Sequence, residues 1–214
     1  MAPPPRRGSW AARPGAAWVL LCAALALGAL AGALLPAPVL DWRPALAATE
    51  PWRAWTAAFV HLSPRHLVAN LLGCAAVAAF GWMGGVPPRA ALAWLLAWPL
   101  GHALLALQPA LAFYGGLSGV LHGGAAIAAL CVAAGPTRRE RIVGALVFAG
   151  LLAKLVNEKP WLGPVRQVPG WDIPIAPIAH ATGAAAAVAC LAAVAAVQAL
   201  HRRRRHHPRE AFHD

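Results

Sequence analysis

Apolar runs of about 20 residues recur along this chain of 214 residues, and they constrain its fold more than any other feature. A helix of that length can cross the hydrocarbon core of a bilayer. No polar stretch is long enough to build a core of its own. With 60% hydrophobic and 12% charged residues, the chain does not have the composition of a soluble domain of this length. The sequence therefore predicts an all-α membrane protein with several spans.

Six helices are predicted from the apolar runs and from the Gly and Pro residues that separate them. Their expected bounds are 16–35, 57–82, 88–107, 118–134, 141–157 and 176–200. The second is interrupted near its start by Ser63-Pro64, where Pro fits the first turn of a helix. We expect 1–15 and 201–214 to be basic cytoplasmic segments that flank one six-helix membrane domain over 16–200. The first run is long for a signal peptide, and five more follow, so we expect a retained helix.

The net charge of +11 does not indicate a nucleic-acid partner, because the basic residues cluster beside the apolar runs. Lys and Arg are enriched in the cytoplasmic loops of membrane proteins. With six spans, both termini and the loops at 83–88 and 135–141 share one side, which holds most of the 18 Lys and Arg residues. We therefore expect that side to be cytoplasmic. The loops 36–56, 108–117 and 158–175 then form the extracytoplasmic face.

The cysteines give no sign of a disulfide framework or a metal site. They lie in four different predicted helices and include no CxxC pair: Cys22, Cys74, Cys131 and Cys190. We interpret them as small buried side chains. We expect no metal and no cofactor.

Residues 115–124, with the sequence GGLSGVLHGG, lead from a loop into an apolar run. Gly permits a tight turn, so we expect Ser118 at the point where the loop becomes a helix. There its hydroxyl would lie among the unpaired N–H groups of a helix N-terminus, which an acyl-transfer nucleophile needs for its oxyanion. The alternative stays open, because Ser and Gly are also common where membrane helices pack closely.

Polar side chains inside predicted spans are costly, so each is a candidate for a functional role. They are His61, His66 and Asn70 in the second helix, His122 in the fourth and His180 in the sixth. His66 and Asn70 are four residues apart on one helix face, and both can donate a hydrogen bond to an oxyanion. The alternative is a polar clamp between helices.

His180 is expected about four residues into the sixth helix, at the same shallow depth as Ser118. Small residues on this helix match small residues beside Ser118 on the fourth: Gly183 and Ala187, and Gly119 and Gly123. Such faces let two helices approach closely. Ser118 and His180 would then form a nucleophile–base dyad.

Other polar residues could add to this dyad. His122 lies one turn after Ser118 and is either a competing base or a ring stacked on the imidazole of His180, and we favour stacking. Glu158 and Asp172 lie on the same predicted side of the membrane as possible carboxylate partners. Neither has a spacing that supports this role, so we expect a dyad without a third member.

Four motifs, in this order, resemble those of the rhomboid family of intramembrane serine proteases over residues 16–200. The motifs are Trp52-Arg53, His66-Leu67-Val68-Ala69-Asn70, Gly116-Leu117-Ser118-Gly119 and Ala179-His180-Ala181-Thr182-Gly183. The resemblance implies a six-helix rhomboid-like bundle in which Ser118 attacks a peptide bond and His180 takes its proton. It further implies that His66, Asn70 and the Ser118 N–H hold the oxyanion. The supporting residues would be Gly116, Leu117 and His122.

A departure from the common pattern narrows the resemblance. Many bacterial rhomboids have Tyr four residues after the nucleophile, where this chain has His122. The short chain, the sequence GLSGVLHG and the segment from Lys154 to Glu158 look like the rhombosortase subgroup. That likeness implies a multi-pass protease of the bacterial inner (plasma) membrane. Its partners would be membrane-anchored substrates, namely exported proteins with a Gly-Gly-type C-terminal sorting tail, cut near the extracytoplasmic face.

Two other classes of function are also considered. A catalytically inactive rhomboid-like protein that binds membrane helices would be expected to lose the Ser or the His, and this chain keeps both. A small transporter is less favoured, because the chain shows no internal repeat and its polar residues lie near one face.

Overall fold

The computed structural model describes residues 13–206, and the secondary structure of this part is helical, without a β-sheet. Its α-helices are α1 (Ala16–Gly32), α2 (Ala37–Leu40), α3 (Arg53–Thr56), α4 (Pro64–Met83), α5 (Pro88–Ala103), α6 (Ser118–Ala133), α7 (Arg138–Glu158) and α8 (Pro177–His206). Short 3₁₀ helices occur at Pro44–Leu46, Ala57–Phe59, Leu104–Leu107 and Pro160–Leu162. The prediction of an all-α protein is confirmed.

Six of these helices are long, and they follow the order expected from the apolar runs. α1 ends at Gly32, before the expected residue 35, and α8 continues to His206, beyond the expected residue 200. The short helices α2 and α3 lie in the loop 36–56 and were not expected. Of the basic terminal segments, residues 1–12 and 207–214 lie outside the described residues.

The prediction of one helix over 57–82 is wrong at its N-terminal end. A 3₁₀ helix and an extended segment precede α4, which begins at Pro64, the interruption that the sequence indicates. Ser63 caps α4, because its Oγ accepts a hydrogen bond from the N–H of His66 at 3.1 Å. His61 therefore lies in the connection before α4 rather than in a helix.

Three helical segments in the described part are long and apolar enough to cross a membrane. They are Pro64–Met83, Pro88–Leu107 and Pro177–Arg203, whereas α1 and α6 are apolar but shorter. Leucines on the outer faces of α1, α4 and α7 are exposed: Leu27 by 66%, Leu72 by 67% and Leu146 by 67%. An outer surface with this many apolar side chains indicates a membrane protein.

Consecutive long helices run in alternating directions, because each helix begins at the end of the bundle where the preceding long helix ends. The N–H of Gly15, just before α1, donates to the carbonyl oxygen of Val86 in the α4–α5 turn at 3.0 Å. At the other end of α1, Gly32 packs against Phe59, which precedes α4. Hence α4, α6 and α8 begin at one end of the bundle, and α7 ends there.

Two buried tryptophans lie at the centre of the bundle. Trp18 of α1 stacks on Trp94 of α5 with ring centroids 4.5 Å apart. Each indole N–H has a backbone partner: Trp18 donates to the carbonyl oxygen of Val77 at 3.0 Å, and Trp94 to that of Val120 at 2.8 Å. Burying the rings with their N–H groups satisfied ties α1, α4, α5 and α6 together.

α6 and α8 approach closely through glycines, as the small-residue pattern predicts. A Cβ on Gly183 would lie 2.1 Å from the carbonyl oxygen of Gly119. A Cβ on Gly123 would lie 2.9 Å from the carbonyl oxygen of Gly183. Because neither position has room for a side chain, the backbones touch, and the first turns of the two helices lie side by side.

The cysteines are free and lie on four different helices, as expected: Cys22 on α1, Cys74 on α4, Cys131 on α6 and Cys190 on α8. Burial is confirmed for Cys22 and Cys74. The other two are half-buried rather than buried.

Candidate active site

The turn before α6 places Ser118 at the first position of that helix. Gly116 has a φ of +141°, which glycine adopts readily and other residues rarely do. A Cβ at Gly116 would also lie 2.8 Å from Cε1 of His66, so glycine makes room for that ring. Leu117, next in the chain, is fully buried and fixes the turn against the core. As the first helical residue, Ser118 has a backbone N–H without a partner inside the helix.

Tyr114 also holds this turn, and sequence reasoning missed it. Its hydroxyl donates to the carbonyl oxygen of Gly116 at 2.9 Å and accepts from the N–H of Gly119 at 3.4 Å. Burial raises the pKa of Tyr114, so the hydroxyl keeps its proton and remains a donor. An aromatic residue with a hydroxyl, directly before two glycines, was the signal that could have found it.

Ser118 and His180 face each other across the α6–α8 contact. Nε2 of His180, the fourth residue of α8, lies 3.0 Å from Oγ of Ser118, a hydrogen-bonding distance. His180 is only 7% exposed. The structure therefore brings together the hydroxyl and the imidazole that the sequence suggests as nucleophile and base.

His122 stacks on His180, as favoured from the sequence. The two rings are 4.0 Å apart between centroids and 11° from parallel. Nδ1 of His122 donates to the carbonyl oxygen of Ser118 at 2.7 Å, which fixes the orientation of the ring. This hydrogen bond is to the backbone carbonyl of Ser118 and not to its Oγ. The position of His122 therefore suits a ring that packs on His180 better than a base for the Ser118 hydroxyl.

The expectation that His180 has no carboxylate partner is wrong. Oε2 of Glu158 lies 2.7 Å from Nδ1 of His180, and its other oxygen pairs with Nζ of Lys154. The backbone carbonyl of Glu158 accepts from Arg166 at 2.8 Å. Glu158 is the last residue of α7, and the C-terminal end of α7 lies beside the N-terminal end of α8 in the bundle. The fold therefore brings Glu158 into contact with His180, although the two are 22 residues apart in the sequence. No such contact is found for Asp172 among the described residues.

His66 and Asn70 present hydrogen-bond donors to the same region. The N–H of Leu62 donates to Nδ1 of His66 at 3.4 Å, so a neutral His66 ring carries its hydrogen on Nε2. Nδ2 of Asn70 is buried and has no hydrogen-bond partner among residues 13–206. A buried donor without a partner costs about 1–3 kcal/mol, and such a cost is often found where a ligand completes the bond.

A cavity of about 510 Å³ opens beside these groups. Ser118, His180, His66, Asn70 and Glu158 all line it. Most of its remaining wall is apolar and comes from the loop before α6 and the segment before α8: Leu111, Phe113, Val165, Trp171, Ile173 and Ile175. A short apolar segment in an extended conformation would fit such a space.

The cluster of His122, Glu158 and His180 has donor atoms within 4.8 Å of one another, the spacing of a possible metal site. Its geometry does not suit a metal ion. The two imidazoles are stacked nearly parallel, so their lone pairs lie in separate planes. One ion at about 2.0–2.1 Å from nitrogen could not lie in both planes at once. Both nitrogens of His180 also already have partners.

Arg53, part of the family resemblance, braces the loop 36–56. It is buried, and its guanidinium donates to the carbonyl oxygens of Pro38 at 3.0 Å and Asp41 at 2.9 Å. It also pairs with the carboxylates of Asp41 and Glu50. These contacts lie within the loop, so Arg53 stabilises the loop and is not in contact with Ser118.

The cavity thus combines a hydroxyl, an imidazole, a carboxylate and two further donors on the ends of four helices. Each group has a defined contact or faces the open space beside Ser118. Comparison with known proteins found no family model, no curated protein and no solved structure that matches this chain, so its function is inferred from the geometry of this site.

Proposed function

We propose that this chain is a serine endopeptidase of the rhomboid type, of the rhombosortase subgroup, and that α1, α4, α5, α6, α7 and α8 span the membrane. The observation that carries the proposal is the 3.0 Å contact between Ser118 Oγ and His180 Nε2 at the wall of an apolar cavity. A serine hydroxyl is a weak nucleophile until an adjacent base takes its proton. An inactive helix-binding protein has no need of this contact.

The reaction follows from the positions of these groups. Ser118 Oγ attacks the carbonyl carbon of a substrate peptide bond while its proton moves to Nε2 of His180. The carbonyl oxygen becomes an oxyanion and accepts hydrogen bonds from the Ser118 N–H, the His66 Nε2–H and the Asn70 amide. His180 then gives the proton to the leaving amine as the C–N bond breaks, which leaves an ester on Ser118. Water attacks the ester, again with His180 as the base, and restores the hydroxyl.

The charge distribution supports an orientation in the bacterial inner membrane. The end of the bundle opposite the cavity carries arginines in the first turns of α5 and α7 and in the last turns of α8: Arg89, Arg138, Arg139 and Arg202. The positive-inside rule favours a cytoplasmic position for that end and for both termini. The cavity would then open toward the extracytoplasmic side.

The length of α6 supports a reaction below the membrane surface. Its 16 residues extend over about 24 Å, which is less than the hydrocarbon thickness of about 30 Å. If the far end of α6 lies at the cytoplasmic boundary, Ser118 lies a few ångströms inside the opposite boundary. The cleaved bond would then be near the extracytoplasmic end of a substrate's membrane helix.

The substrates we propose are exported proteins anchored by a C-terminal tail with Gly-Gly before its membrane helix. A helix hides its peptide carbonyls in hydrogen bonds, so the segment at Ser118 must be extended or easily unwound. Each Gly weakens a helix by about 1 kcal/mol relative to Ala. The small apolar cavity and this conformational requirement favour the same kind of segment.

The test is cleavage of such a substrate in liposomes that contain the purified protein. We expect a product whose new terminus, located by mass spectrometry, lies near the extracytoplasmic end of the substrate helix. Ser118→Ala should abolish the product, and replacing Gly-Gly by Leu-Leu should slow its formation strongly without changing insertion.

Thr182→Ala is the matched control for Ser118→Ala. It also removes one hydroxyl close to His180. Among the described residues, the hydrogen bond of that hydroxyl is to the carbonyl oxygen of Ala179 within its own helix, at 3.3 Å. We expect it to cleave at the normal rate. Undiminished cleavage by Ser118→Ala would refute the proposed function.

A further inference from the structure

The Glu158 carboxylate has two oxygens with two different partners. Oε2 lies 2.7 Å from Nδ1 of His180, and Oε1 pairs with the ammonium of Lys154 one turn earlier on α7. The side chain of Glu158 is 15% exposed and that of Lys154 is 47% exposed. The carboxylate therefore lies between a shielded imidazole and an ammonium group that is about half exposed.

We propose that Glu158 is a positioning residue for His180, and that Lys154 limits how much of the carboxylate charge the imidazole experiences. This inference rests on the proposed function, since it gives His180 the role of base. Glu158 acts through His180 and has no contact with Ser118 among the described hydrogen bonds.

The contact with Glu158 fixes the hydrogen of the neutral imidazole. When Nδ1–H donates to Oε2, the lone pair remains on Nε2, where Ser118 Oγ can donate its proton. Without the acceptor, the hydrogen can move to Nε2, and that tautomer cannot act as the base. The carboxylate also stabilises the imidazolium that forms when His180 takes the proton.

The other groups around His180 do not supply this charge. His122 of α6 stacks on the ring and His66 of α4 lines the same cavity, and both are imidazoles. Arg166, from the segment before α8, contacts the backbone carbonyl of Glu158 rather than its carboxylate. Among the described residues packed around His180, Glu158 is the anion in contact with the ring and Lys154 is the cation beside that anion.

The test is the second-order rate of covalent labelling by a fluorophosphonate, measured against pH on the full chain in detergent. In this reaction Ser118 Oγ forms a bond to phosphorus, fluoride leaves, and the proton passes to His180. The rate should rise with pH as the imidazole loses its proton. The melting temperature of each preparation separates a loss of folding from a loss of reactivity.

Two substitutions should move the pH profile in opposite directions. Glu158→Gln removes the anion that favours the charged ring, so we expect its midpoint at lower pH and its plateau rate about 10²–10⁴-fold lower. Lys154→Met leaves the anion without its other partner, so we expect its midpoint at higher pH with a plateau rate within tenfold of the unmodified protein. A role in folding alone would move neither midpoint.

Glu140→Gln is the matched control. It makes the same change at the opposite end of α7, where Glu140 caps the helix with Thr137 and is far from the cavity. We expect its rate and midpoint to be unchanged.

The outcomes that decide the inference are these. It is overturned if Glu158→Gln keeps the normal plateau rate and midpoint, or if the Lys154→Met midpoint does not rise. If Glu158→Gln does not fold, Glu158→Asp takes its place, because its shorter side chain moves the carboxylate away from Nδ1 of His180. A midpoint at lower pH with a lower plateau rate supports the inference, and an unchanged midpoint and plateau rate overturn it. Failure of the unmodified protein to label at all would instead count against the proposed function.

Discussion

Replacing Gly183 by Ala should separate Ser118 from His180 without touching either residue. The new Cβ would lie 2.1 Å from the carbonyl oxygen of Gly119, whereas a C–H···O contact needs about 3.3 Å. The backbones of α6 and α8 must therefore part by about 1 Å. Gly119 directly follows Ser118, and Gly183 lies one turn after His180, so the distance of 3.0 Å between Oγ and Nε2 should grow by a similar amount.

A misplacement of about 1 Å can cost about 10²-fold in rate, which corresponds to about 2.7 kcal/mol in the activation free energy. We expect a loss of that size in the fluorophosphonate labelling rate of the folded fraction. Gly123→Ala should lose less, because its Cβ would lie 2.9 Å from the carbonyl oxygen of Gly183. Gly150→Ala is the matched control, since its Cβ would meet no atom of another described element within 4 Å.

The assay is the labelling rate and the melting temperature of the three variants, purified in the same detergent. The expected order of rates is Gly150→Ala, then Gly123→Ala, then Gly183→Ala. If Gly183→Ala labels as fast as Gly150→Ala, the close contact of α6 and α8 does not set the geometry of the site, and the reasoning is refuted.

Three further substitutions test the surroundings of Ser118. Asn70→Ala should lower substrate turnover by about 10²–10³-fold, as loss of an oxyanion donor does. The melting temperature should stay nearly unchanged, because Nδ2 has no hydrogen-bond partner in the part of the chain that the structure describes. A lower melting temperature with normal turnover would indicate a helix clamp instead. Tyr114→Phe removes the hydroxyl that holds Gly116 and Gly119. It should lower the free energy of unfolding by about 1–2 kcal/mol, measured by chemical denaturation, and slow labelling by the fluorophosphonate. Ser63→Ala should cost about 1 kcal/mol through loss of the α4 cap, measured in the same way, and an unchanged stability would contradict the capping role.

The helices could be predicted because apolar runs and their breaks are local features of sequence. Pro88 and Ser118 mark the starts of α5 and α6 as expected. The start of α4 was misplaced because the apolar residues from 57 onward continue into a 3₁₀ helix, and hydropathy does not distinguish that from an α-helix. The N-cap at Ser63, followed by Pro64, sets the start of α4 within this apolar stretch.

The proximity of Ser118 and His180 was predictable because small residues mark both faces of the α6–α8 contact. The contact of Glu158 with His180 was not. That contact depends on where α7 ends relative to α8 and on the path of residues 159–176 between the two helices. Neither can be deduced from the spacing of residues in the sequence. Tyr114 was missed for a related reason, since its role depends on a hydroxyl that folds back onto the turn after it.

The most direct test of the central claim is the position of the covalent adduct after fluorophosphonate treatment, determined by mass spectrometry of the digested protein. We expect the adduct on the peptide that contains Ser118, and on no peptide when His180 is replaced by Ala, since the hydroxyl then lacks its base. An adduct on a different residue, or one on Ser118 that forms at the normal rate in His180→Ala, would contradict the account.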